Sequence, residues 1–150
     1  MGQLLKCVGV GMSLTLESLI DMAHRHAAAE SEGDLEATLA TLDPIPEYHF
    51  YPIAKRFVGM AATRRYYDHF FANALPRIRG YRLDAEWVGD AGIAQEYTVT
   101  VGHSDGTQST HRVLGILTPG EVGLSGERIY ADDVMLKILL GPVWNELEAI

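Results

Sequence analysis

The chain is 150 residues long, 47% hydrophobic and 21% charged, with 12 Lys+Arg against 20 Asp+Glu for a formal net charge of −8. That length makes one compact domain with a buried core and has no room for a second catalytic domain, and the apolar share excludes a disordered chain. The acidic balance argues against a nucleic-acid surface, whose phosphates require clustered Lys and Arg. The single cysteine, Cys7, excludes an internal disulfide framework and a cysteine-based zinc site. Cysteine usage of this kind reads as a cytoplasmic, reducing setting. No apolar run reaches the ~18 residues that a membrane span needs.

Residues 1–12 are expected to be a frayed leader, with a single domain over residues 13–150. Ser13 or Thr15 can cap a first helix running to about Glu30, because Leu16, Leu19, Ile20, Ala23 and Ala27 recur on one face. Gly33 breaks that pattern. Asp34 caps a short second helix with Leu35, Leu39 and Leu42 as its buried stripe, and Pro44 and Pro46 are expected to end it. From Glu47 to Val58 the texture is aromatic and strand-like, and Pro52 demotes that stretch to an edge or bulged strand. Gly59 opens a third helix over Met60–Ala74, stopped by Pro76. Four strand-like runs follow: Tyr81–Val88, Ile93–Gly102, Thr107–Leu117 and Val122–Ala131. The turn sequences between them are short, which implies an antiparallel meander. Asp132 or Asp133 then caps an apolar helix over Val134–Leu140, closed by Gly141-Pro142.

Helices grouped ahead of an antiparallel sheet make an α+β fold, with the helices on one face. A long, twisted sheet curling around three helices leaves a cone-shaped apolar cavity, a usual geometry for small ligands. This element order, together with Gly126-Glu127-Arg128-Ile129-Tyr130-Ala131-Asp132 leading into Leu136 and Leu139-Leu140-Gly141, resembles the SnoaL-like polyketide cyclase branch of the nuclear transport factor 2-like (cystatin-like) superfamily. The resemblance covers roughly residues 14 to 141. It implies a cone-shaped α+β domain, a homodimer through the outer sheet face, and neither a metal nor an organic cofactor.

By that resemblance Asp132 matches the acid/base aspartate of the aldol-type cyclases. Independently, a carboxyl at the mouth of an apolar cone loses hydration, so its pKa is expected to rise toward a value useful at neutral pH. The competing reading is a helix N-cap, and Asp133 competes for either role. His49 and His111, on strands, can polarise a carbonyl or hold Asp132 by a hydrogen bond. His24, beside the apolar face of the first helix, can line the cone from the other side. Tyr51, Tyr67 and Tyr97 are candidate aromatic pocket residues, and Tyr130 joins them because it is two residues from Asp132 and hence on the same strand face. Arg82 and Asp84 read as a surface ion pair, and Glu96 as an outward residue.

Two kinds of function fit this pattern. One is a cofactor-free enzyme acting on a small apolar or aromatic carbonyl compound, by aldol cyclisation or isomerisation, with Asp132 taking the proton. The other is a module of the same fold that binds a hydrophobic ligand or pairs with a second copy and performs no chemistry. Neither reading involves nucleic acid or a membrane.

Overall fold

The computed structural model describes residues 14–150, so the expected leader lies outside the described residues. The first helix, α1 (Leu16–Glu32), starts where the Thr15 hydroxyl accepts the Ser18 N–H. It ends at Gly33, whose φ of 70° is the left-handed cap that glycine accepts without strain. Its buried face is Leu19, Ala23, His26 and Ala29. Asp34 caps the short α2 (Leu35–Leu39) by accepting the Ala37 N–H at 3.0 Å.

The chain then enters β1 (Leu42–Tyr51) and turns back into β2 (Lys55–Val58). Pro44 and Pro46 do not end α2 as expected; they lie in the first half of β1. The register is interrupted there, between Leu42 and Glu47, so a missing N–H breaks no ladder bond. Pro52 falls in the turn between β1 and β2, which splits the single aromatic strand expected from the sequence into a hairpin. Next, α3 (Met60–His69) runs into a π-helical turn (Phe70–Ala74) and a 3-10 turn (Leu75–Arg77), so the expected helix to Ala74 keeps its length and loosens its last part.

The meander β3 (Ile78–Gly89), β4 (Gly92–Gly102), β5 (Gln108–Pro119) and β6 (Leu124–Tyr130) forms as expected. It is followed by α4 (Asp133–Leu140), a 3-10 turn (Gly141–Glu146) and a two-residue β7 (Glu148–Ala149). The sheet order is β3-β4-β5-β6-β1-β2-β7. One expectation is corrected: the sheet is mixed, because β1 runs parallel to β6. Tight turns force consecutive strands to be antiparallel, but β1 and β6 are separated by α3 and four strands, and no turn dictates their relative direction. Gly126, with φ of 141°, sits at this junction; a side chain there would overlap the Glu47 carbonyl.

Helices and sheet meet in an aromatic core. Tyr48, Phe50, Phe57, Tyr66 and Tyr67 are buried together, with the Tyr48 and Phe57 rings stacked at 5.1 Å. Leu136 and Leu140 of α4 close the core from one side. The concave side of β3–β6 is not filled to its end, and that gap positions the site.

Candidate functional site in the concave face of the sheet

A cavity of about 380 Å³ lies between the concave sheet, α1 and α4. Most of its wall is apolar: Phe70, Ile78, Val99, Val113, Leu117 and Ile129 contribute, and Met135 and Leu139 of α4 reach in from the closing helix. A histidine and two carboxyls interrupt that wall. His26 and Glu30 project from α1, four residues apart and so on one helical face, and Glu127 projects from β6 opposite them. Their ligand atoms lie within 4.8 Å of one another.

The local hydrogen bonds fix how these groups present themselves. The Thr41 hydroxyl donates to the Thr38 carbonyl at 2.6 Å, so toward His26 it can only accept. His26 Nδ1–H therefore donates to Thr41 Oγ1 at 2.7 Å, and Nε2 points at the Tyr67 hydroxyl, 3.0 Å away, and at Glu30, 3.5 Å away. Tyr67 donates to Glu30 Oε1 at 2.7 Å, and its oxygen lies 3.0 Å from the Tyr48 hydroxyl. No hydrogen bond from the described residues reaches the Glu127 carboxyl. Gly115, on the neighbouring β5 and paired in register with Ile129, makes the room: a Cβ there would overlap Glu127 Oε1.

These environments push the two carboxyls apart. Burial raises Glu30, but the charge of His26 and the hydrogen bonds from His26 and Tyr67 together outweigh it and hold Glu30 below its ordinary value. Burial also raises Glu127, the nearby Glu30 charge raises it further, and nothing offsets them, so Glu127 stands well above its ordinary value. The two shifts favour the ionised form of Glu30 and the protonated form of Glu127, side by side in an apolar hollow. The Tyr97 hydroxyl lines the same cavity; it donates to Gln95 Oε1 at 3.1 Å, and burial pushes its pKa up to about 12. Gln95 is itself fixed, donating to Glu86 at 2.7 Å. Among the described residues, His26, Glu30 and Glu127 also lie close enough together to hold a metal ion.

Solved structures with the same architecture place the chain in a fold group. A nuclear transport factor 2-like protein of unknown function from Cytophaga hutchinsonii superposes with a TM-score of 0.63 at 14% identity, covering 76% of this chain and 99% of that one. A putative isomerase from Bacillus subtilis gives 0.64 at 14%, covering 85% and 96%. PrhC from Penicillium brasilianum gives 0.62 at 19%, covering 89% and 92%. The fold is nuclear transport factor 2-like. No family model matches the chain, and no curated protein matches it.

Within this nuclear transport factor 2-like fold, the residues expected to form one pocket do not all lie together. Tyr97 lines the cavity, and Tyr67 stands behind it, holding Glu30. His49, Tyr51 and Tyr130 are on the outer side of the sheet. His49 contacts Glu47 at 2.6 Å, and the Tyr51 and Tyr130 rings stack at 4.7 Å. His24 has a side chain 56% exposed, lies 3.5 Å from Glu86 and does not line the cavity; the cavity histidine is His26. Asp132 and His111 are joined at 2.5 Å, as the sequence reading allowed, and share an open depression with Tyr51 and Tyr130.

Two expectations about Asp132 are corrected. It does not line the apolar cavity: it is the N-cap of α4, where Oδ1 accepts the Met135 N–H at 2.8 Å, and its side chain is 50% exposed. Its pKa is not raised. Burial alone would raise it, but the His111 and backbone hydrogen bonds prevail and lower it. Tyr130 and Asp132 line one open depression, as their spacing suggested, but it lies outside the apolar cavity. Arg82 and Asp84 are the expected surface ion pair, at 2.6 Å, and Glu96 pairs outward with Arg112 at 2.9 Å. No helix of the described residues is long and apolar enough to cross a membrane.

Proposed function

We propose that the protein is a cofactor-free acid/base catalyst that moves a proton beside the carbonyl of a small, mostly apolar molecule. The reaction is an isomerisation or, in the form the SnoaL-like resemblance implies, an aldol ring closure. The observation that carries this reading is the pair Glu30 and Glu127, whose ionisations are pushed in opposite directions inside one apolar cavity. Glu30, ionised at neutral pH, takes the proton from the carbon next to the carbonyl. Glu127, protonated, donates a hydrogen bond to the carbonyl oxygen as negative charge develops on it, which is where electrostatic stabilisation is most effective. His26 and Tyr67 are positioning residues that hold Glu30 ionised and aimed. The Tyr97 hydrogen is committed to Gln95, so its oxygen is left to accept from a hydroxyl or N–H of the ligand.

The name of the Bacillus subtilis neighbour, a putative isomerase, agrees with this reaction class. As a second part of the proposal, two copies pair through the outer sheet face, where Trp87 is exposed. The test is proton–deuterium exchange at the α-carbon of small cyclic ketones and enones in D2O, followed by NMR. Exchange is expected with the unmodified protein, is lost in Glu30→Gln, is strongly slowed in Glu127→Gln and persists in Asp132→Asn. Binding of the same compounds without exchange would favour the non-catalytic ligand-binding reading. Exchange that survives Glu30→Gln would refute the assignment of the base.

A further inference from the structure

Away from the cavity, five side chains form a single hydrogen-bonded line at the end of the β4–β5 hairpin. Arg77 Nη2 lies 3.2 Å from His103 Nδ1, His103 Nε2 lies 2.6 Å from Ser109 Oγ, and Ser109 Oγ lies 2.6 Å from His111 Nε2. His111 Nδ1 then lies 2.5 Å from Asp132 Oδ2. None of these five residues lines the cavity.

The two ends fix every proton between them. Arginine only donates and the ionised Asp132 only accepts. His103 therefore accepts at Nδ1 and donates from Nε2 to Ser109 Oγ. Ser109 in turn donates to His111 Nε2, and His111 donates from Nδ1 to Asp132. Asp132 is held at both oxygens, by His111 and by the Met135 N–H, so it orients the ring firmly. A serine hydroxyl donating to one imidazole nitrogen while a carboxylate holds the other is the arrangement that turns a hydroxyl into a nucleophile, and it is recognised by geometry and roles, not by chain order. His103 adds a donor aimed at the serine oxygen, which favours the negative charge that builds there when the proton leaves.

The place is reachable. Ser109 is only partly buried and Asp132 is half exposed. The Asp132 end of the line opens onto a depression lined by His111, Asp132, Arg112 and the stacked rings of Tyr51 and Tyr130.

We propose that Ser109, His111 and Asp132 form a second catalytic site, a serine nucleophile with its base and orienting acid, that takes acyl groups from activated esters. Ser109 Oγ forms a bond to the acyl carbon as its proton passes to His111 Nε2; the bond from that carbon to the leaving-group oxygen then breaks, and the proton goes from Nε2 to that oxygen. Water next gives a proton to the freed Nε2 as its oxygen bonds to the acyl carbon; the bond to Ser109 Oγ breaks, Nε2 returns the proton to Oγ, and the carboxylic acid leaves. This site is independent of the proton chemistry assigned to Glu30 and Glu127.

The experiment uses the full chain with p-nitrophenyl acetate. A burst of about one equivalent of p-nitrophenolate is expected, the sign of an accumulating acyl-enzyme, with the mass gain of one acetyl group mapped to Ser109. Ser109→Ala should lose both. His111→Gln should slow the burst by about 100-fold or more. Asp132→Asn, which keeps a good helix cap, should slow it with an unchanged melting temperature. No burst and no acetylation, an acetyl group mapped to another residue, or a burst that persists in Ser109→Ala would overturn the proposal. The mapping is made on the unmodified protein, so it stands whatever the variants do to folding.

Discussion

Replacing Glu127 by Gln should change how stability depends on pH, and the sign follows from the cavity. The folded chain keeps the Glu127 proton above the ordinary value of 4.5, where the unfolded chain has already released it. In that window the native state binds more protons than the unfolded one, so stability falls as pH rises, by about 1.4 kcal/mol per pH unit from this one group. The loss stops once pH passes the folded-state value. Glu30 acts in a different window. Its folded-state value is depressed, so its contribution is complete above 4.5 and is lost only as pH falls through the lower folded value. The buried tyrosines titrate above 10 and are silent here. Urea unfolding of both proteins from about pH 5 to about pH 8 isolates the effect, because the histidines common to both cancel in the difference. The Gln variant should gain on the parent as pH rises, with an initial slope near the figure above. Parallel profiles would mean that Glu127 is hydrated and ionised like any surface carboxylate, and the acid/base pair would then lose its protonated member.

Three further outcomes follow from the same contacts. Gly115→Ala places a methyl group where the Glu127 carboxyl lies; the fold should survive, and the α-carbon exchange assigned to the cavity should be lost, as read by NMR and circular dichroism on one sample. Thr41→Val removes the acceptor for the buried His26 Nδ1–H and should cost about 1–3 kcal/mol in urea unfolding; a change of a few tenths would show that the ring finds another partner. Asp132→Ala should cost about 1 kcal/mol through loss of the α4 cap, while Asp132→Asn should cost much less; equal losses in thermal melts would assign the effect to the His111 contact instead.

The architecture was legible because it rests on local signals. The turn residues at Gly89–Gly92 and Ser104–Gly106 specify the meander, and Thr15, Asp34 and Asp132 mark helix starts that the structure confirms. The parallel pairing of β1 with β6 was not legible, since no local signal reports how strands distant in sequence lie side by side. The site was read only in part. Tyr97 and Tyr67 were found by their chemistry, but Asp132 was weighted for its place at a strand end, where capping a helix makes the same pattern as catalysis. His26 and Glu30 carry a signal that periodicity reveals. They continue the buried spacing of Leu19 and Ala23 along α1, so polar groups occupy core positions there. Glu127 alternates with the buried Ile129, and the strand period puts both on the concave face. Polar residues in step with a buried face, more than residues at element ends, mark the cavity chemistry of this chain.

The most direct measurement is a carbon-13 NMR titration of the glutamate side-chain carboxyls, with Glu30 and Glu127 assigned through their Gln variants. The Glu127 resonance should still be that of the acid at pH values where surface glutamates have fully ionised, and the Glu30 resonance should be that of the carboxylate below the ordinary range. Two resonances that both titrate near 4.5, the ordinary value for these groups, would contradict the paired acid and base on which the cavity chemistry depends.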